Sequence, residues 1–112
     1  SRKLSKPNEV LCFDGFRSIC PVTSQPDFAK IYIYTNAKVD INSIKRFLVS
    51  FKEKGEFHEQ CIEYIFADLQ NKYPNNDLEV CGRFLRRGGI DINPIRSSKK
   101  KFFFKNFRVF NQ

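Results

Sequence analysis

Cys20 opens a short loop, Cys20-Pro21-Val22-Thr23-Ser24-Gln25-Pro26-Asp27, which two prolines bracket and a carboxylate closes. A thiol and a carboxyl held this way could serve as a nucleophile and a proton carrier. A cysteine with a pKa near ~8.5 is mostly protonated at neutral pH, so a nucleophilic role requires help from the surrounding site. The plain alternative is a buried thiol and an Asp that caps a turn. A second cluster is Phe57-His58-Glu59-Gln60, at the start of a predicted helix. Glu in a first turn is favoured by the helix dipole, and a lone His is often only a hydrogen-bonded surface or core residue. A carboxylate can also accept two parallel hydrogen bonds from an N–H/NH₂ edge such as guanine presents. The third cluster is Arg86-Arg87-Gly88-Gly89. Guanidinium forks beside exposed backbone N–H groups suit a phosphate, and an ordinary charged turn would look the same. Neither G-x-G-x-x-G nor G-x-x-x-x-G-K-[ST] occurs, which excludes a dinucleotide fingerprint and a P-loop.

The chain that must position these groups has 112 residues, enough for one small core. With 41 % apolar residues and 13 Phe it is too apolar to be disordered. No apolar run approaches a membrane span, and residues 1–7 show no secretory signal. The net charge of +8 sits at the two ends. Between Glu9 and Asp91 stand all 12 acidic residues but only about half of the 20 basic ones, leaving that stretch nearly neutral. Basic ends of this kind serve solubility or weak polyanion contact, whereas a nucleic-acid groove would spread Lys and Arg through the folded middle. Cys12, Cys20, Cys61 and Cys81 form no C-x-x-C pair, and His58 is the only histidine, so no metal site is expected. Reduced thiols of a cytoplasmic protein are the expected state.

Two strands come first. Val10 to Ile19 reads as a strand interrupted at Asp14-Gly15, and Phe28 to Thr35 as a clearer one. The period then becomes helical. Ile41, Ile44, Phe47, Leu48 and Phe51 predict a helix over about 40–53, with Lys45, Arg46 and Lys52 free for solvent. After Gly55, a second helix starts near Glu56 and packs through Phe57, Cys61, Ile62, Ile65, Phe66 and Leu69. Leu78 to Leu85 alternates again, with Leu78, Val80 and Phe84 on one side. Ile90 to Ile95 and Lys101 to Phe110 are the last candidate strands. Residues 1–9 read as a tail or linker and 10–112 as one domain. This order predicts an α+β fold: an antiparallel sheet with two helices on one face.

The stretches Phe16 to Phe28, Phe57 to Cys61 and Arg86 to Pro94 together resemble the NADPH-dependent 7-cyano-7-deazaguanine reductases, the QueF family. The resemblance runs from about Val10 to Ile95. It implies a tunnelling fold (T-fold) built on a ββααββ unit, in which units assemble side by side. It also implies reduction of a nitrile to a primary amine with two NADPH, in the synthesis of the tRNA base queuosine. On the matching positions, Cys20 would attack the nitrile carbon to give a thioimide and Asp27 would move the proton. His58 would line the pocket, Glu59 would grip the guanine-like edge, and Arg86, Arg87, Gly88 and Gly89 would meet the cofactor, with no metal involved. Shorter members carry Glu-Ser-Lys-Ser-x-Lys on the first helix, where this chain has Asp40-Ile41-Asn42-Ser43-Ile44-Lys45. Degeneracy of this kind resembles the C-terminal, catalytic half of a two-module reductase, and the absent initiator Met agrees with that expectation. The partners expected are the small-molecule nitrile and a second T-fold module or copy, with no membrane and no direct nucleic acid. An amidine-forming transferase of the same superfamily and a non-catalytic RNA-binding module are the competing classes.

Overall fold

The computed structural model describes residues 4–6, 8–19, 21–22, 26–52, 57–85 and 94–99, with the backbone alone at 26, 27 and 85. Alternating side chains produce strands β1 (Glu9–Ile19), β2 (Pro26–Thr35) and β3 (Leu78–Leu85). A short β4 (Ile95–Ser97) completes an antiparallel sheet of order β1-β2-β3-β4. Helices α1 (Ile41–Val49) and α2 (His58–Lys72) both lie between β2 and β3 in sequence. Among the described residues the elements run ββααββ, consistent with the α+β arrangement expected of a tunnelling-fold unit. β4 begins where the expected Ile90 to Ile95 strand ends; residues 90–93 and 101–110 lie outside the described residues.

The two helices share one face of the sheet. Ile44 and Leu48 of α1, with Phe51 just beyond it, join Cys61, Ile62, Ile65, Phe66 and Leu69 of α2 over Leu11, Phe13, Phe16, Ala29, Ile31, Ile33, Val80 and Phe84 in one core. Burial of this many large apolar side chains is the main favourable term for the fold. Phe57 departs from expectation. It is the N-cap of α2, half-exposed, and not part of that core. α1 is also shorter than its apolar spacing suggests. It stops at Val49, and Phe51 reaches the core from the turn that follows.

β1 does not break at Asp14-Gly15. Phe13 pairs with Ile31 and Phe16 with Ala29, so two residues of β1 stand opposite Lys30 in a β-bulge. Gly15 takes φ +75°, the left-handed region that glycine enters at little cost. In a regular strand, residues three apart face opposite ways. The bulge lets Phe13 and Phe16 both face the helices, and it fixes which residues beyond them do so. Ser18 is thereby buried on the helix side and pairs with Asp27.

Candidate active site

The bulged hairpin ends with Ile19 paired to Pro26 and Ser18 paired to Asp27. Next to it, Phe28 of β2 pairs with Leu85, the last residue of β3. Strands β1 and β3 therefore end on the same side of the sheet. The first turn of α2 is held there too: the His58 ring stacks on Phe84, with centroids 4.2 Å apart and planes 15° apart. Phe84 is itself cross-strand from Ala29. Topology thus gathers the flanks of all three sequence clusters at one end of the sheet. Cys20 and Arg86, Arg87, Gly88 and Gly89 themselves lie outside the described residues, and Asp27 is described in its backbone. Within α2, His58 is half-buried, and Glu59 is exposed in the first turn. Phe57 offers no side-chain acceptor to the helix N–H groups.

Phe84 is the platform for His58, and Gly82 makes room for it. A methyl group on Gly82 would stand 2.6 Å from Phe84 Cε1 and 2.8 Å from Ile62 Cδ1. The Ile62 tip can turn aside, but the phenyl ring must tilt, and it is also wedged edge-on against Phe16 at 6.1 Å. We expect Gly82→Ala to lower stability by about 1–3 kcal/mol and to weaken ligand binding through the displaced His58. Thermal melting and calorimetric titration check both parts. A variant with unchanged stability and affinity would show that the stack is slack.

At the β1 edge, a groove of about 720 Å³ runs between β1 and α1, lined among others by Arg17, Phe28, Lys45, Leu48 and Lys52. Arg17 Nε is buried without a hydrogen-bond partner, and Lys45 and Lys52 are exposed cations on the helix side. Sequence reading missed this convergence, because Arg17 and Lys45 come together only through packing of α1 on β1. Asp40, at the start of the degenerate first-helix motif, serves the fold. Its carboxylate accepts from the N–H groups of Asn42 and Ser43 as the α1 N-cap.

Cys61 and Cys81 are buried and Cys12 is exposed. Burial pushes the Cys81 thiol up to about 12, with the Glu79 carboxylate adding to the shift. In the unfolded chain a thiol ionises near ~8.5. Below that pH both states keep the proton; above it only the unfolded state releases it. Stability should therefore fall as pH rises from about 9 towards 12, at a rate approaching ~1.4 kcal/mol per pH unit for this group. Melting curves across that range check the slope, and Cys81→Ala should flatten it. An equally steep profile in the variant would assign the alkaline loss to other groups.

Among the described residues, no three His, Cys, Asp or Glu side chains gather where they could hold a metal ion. Nor is any described helix long and apolar enough to cross a membrane.

Residues 26–102 match the family model described as QueF-like protein, a span that includes Asp27, His58, Glu59 and Arg86 to Gly89. The chain is 54 % identical over 98 residues to the NADPH-dependent 7-cyano-7-deazaguanine reductase of Buchnera aphidicola subsp. Schizaphis graminum, covering 87 % of this chain and 37 % of that protein. It is 45 % identical over 106 residues to the protein of the same name from Legionella pneumophila strain Corby, covering 93 % of this chain and 37 % of that protein. A third, from Colwellia psychrerythraea, is 45 % identical over 98 residues, covering 87 % and 34 %. The chain thus spans little more than a third of the length of these curated relatives.

Proposed function

The chain belongs to the QueF-like protein family, and on that basis we propose that it carries the nitrile-reducing site of a 7-cyano-7-deazaguanine reductase. The convergence of the flanks of the three sequence clusters on one end of the sheet is the observation that supports this reading. The relatives are more than twice as long, and we read these residues as the catalytic module of a two-module arrangement. The partner module, or a second copy, would complete the sheet assembly. A thiol nucleophile and an NADPH-linked reaction suit the reducing cytoplasm.

In this reading Cys20 gives up its S–H proton to the Asp27 carboxylate, and the resulting thiolate sulfur bonds to the nitrile carbon. One electron pair of the C≡N bond moves to nitrogen, which takes a proton from Asp27, and the product is a thioimide. His58, held flat on Phe84, walls the pocket. Glu59 at the α2 N-terminus accepts from the N–H/NH₂ edge of the base, and the exposed Phe57 ring offers it a face. The groove of Arg17, Lys45 and Lys52 fits the phosphates of NADPH, because an unpartnered buried guanidinium N–H beside two lysines is a donor set for an anion. The undescribed Arg86-Arg87-Gly88-Gly89 stretch would add further donors for the same phosphates. NADPH, when bound, supplies the hydride equivalents that convert the nitrile carbon to an aminomethyl group.

The full-length protein should oxidise NADPH, followed by its absorbance, only when the nitrile is added. Adduct formation without NADPH consumption would instead favour an amidine-forming transferase.

Glu59→Leu should damage binding more than chemistry. It leaves the donors of the base edge unpaired in the complex, at about 1.5–3 kcal/mol, or roughly ten- to a hundredfold in affinity. Calorimetry with the deazaguanine nitrile measures this. Affinity within a factor of two of wild type would leave Glu59 only its favourable place on the helix dipole.

A further inference from the structure

Ser18 is fully buried, yet its hydroxyl has no hydrogen-bond partner. It is neither exposed nor satisfied, an arrangement that a same-sized apolar residue would avoid. The bulge at Asp14-Gly15 places it on the helix side of β1, directly across from Asp27. Cross-strand partners share one face of a sheet, so the register sets Ser18 and Asp27 on the same face. Being wholly buried, Ser18 is shielded from any ligand that approaches from solvent, so it must act through a neighbour.

We propose that Ser18 is a positioning residue for Asp27: its hydroxyl donates to the carboxylate that Asp27 becomes on giving its proton to the nitrile nitrogen. This rests on the reading of Asp27 as the proton carrier. The proton that Asp27 took from Cys20 leaves it as the sulfur–carbon bond forms, and the negative charge returning to the carboxylate takes up the Ser18 O–H. The hydroxyl keeps its own proton throughout. The donor left unsatisfied while Asp27 holds the proton is thereby paired at the moment when charge reappears, which is the condition for an interaction to speed a step rather than merely stabilise the fold.

The test is single-turnover formation of the covalent adduct against pH in the full-length protein, comparing wild type, Ser18→Ala and Asp27→Asn. Among the described residues, the other titratable groups at this end are His58 and Glu59, with Arg17 as a fixed cation; Cys20, Arg86 and Arg87 lie outside the described residues. The limb belonging to Asp27 is therefore defined as the one that Asp27→Asn abolishes. Losing a donor to the charged form raises a carboxyl pKa. Ser18→Ala should shift that limb to higher pH by about one unit and slow the adduct step about tenfold or more. Nitrile affinity should stay within a factor of two, and melting should be unchanged or higher. A limb and rate unmoved in Ser18→Ala, with the wild type behaving as described, would overturn this proposal alone. A wild type that forms no adduct at any pH would instead overturn the reading of the site on which it rests.

Discussion

Asp27→Asn in the full-length protein is expected to fold with near-normal thermal stability and to bind the nitrile, yet to form the covalent adduct at least about a hundredfold more slowly. Addition of sulfur to a nitrile puts negative charge on nitrogen, and that charge must be quenched in or near the transition state. Asn keeps the size of Asp and most of its turn hydrogen bonding, but it cannot cycle a proton. Loss of a general acid costs about 10²–10⁴ in rate, whereas loss of a turn cap costs about 1 kcal/mol of stability and leaves the rate alone. The two roles therefore differ in which measurement moves. Asp27 is anchored by register at the mouth of the β1–β2 hairpin, paired with Ser18. Early melting with a normal adduct rate would make Asp27 a structural residue.

Cys20→Ser should reduce turnover on the order of 10⁴-fold or more, the scale on which removing a nucleophile acts. The substitution changes one atom and keeps the side-chain shape, so binding of the nitrile should persist. What is lost is the thiolate, since a serine hydroxyl is not appreciably ionised at neutral pH without a dedicated base. The other thiols cannot substitute from where they stand. Cys61 and Cys81 are enclosed in the core, and the raised pKa of Cys81 keeps it protonated. Cys12 is exposed on β1, on the far side of the Asp14-Gly15 bulge from the hairpin end. Turnover by Cys20→Ser at more than about a tenth of the wild-type rate would reassign the nucleophile.

How much of this could be read from the residues alone depended on whether the deciding force was local. β3 was read with the bounds the structure gives, because alternation over Leu78 to Leu85 is flanked by strong turn and charge signals. The α2 core from Cys61 to Leu69 followed from helical spacing. Phe57 did not, since an apolar residue at an N-cap satisfies the periodic pattern while lying beyond the packed face. Asp14-Gly15 looked like an interruption. Only pairing with Lys30 of β2 shows it as a bulge that turns Phe16 and Ser18 towards the helices. Gly82 carried no signal in sequence, because its role is set by the Phe84 ring and the Ile62 tip lying over it. For the site, the residue types are legible as three separate clusters, and the register of three strands supplies the common location of their flanks. The Arg17 groove and the unpaired Ser18 hydroxyl arise from tertiary packing and could not be seen in spacing.

Everything proposed for the site depends on a covalent bond between Cys20 and the nitrile carbon, which intact-mass spectrometry detects outright. Addition of a thiol across C≡N expels no leaving group. The full-length protein mixed with the nitrile in the absence of NADPH should therefore gain the mass of one whole substrate molecule per chain. Peptide mapping should place that mass on Cys20, and Cys20→Ala should abolish it. No mass gain, an adduct mapped to Cys12, or an adduct that survives in Cys20→Ala would rule this chemistry out.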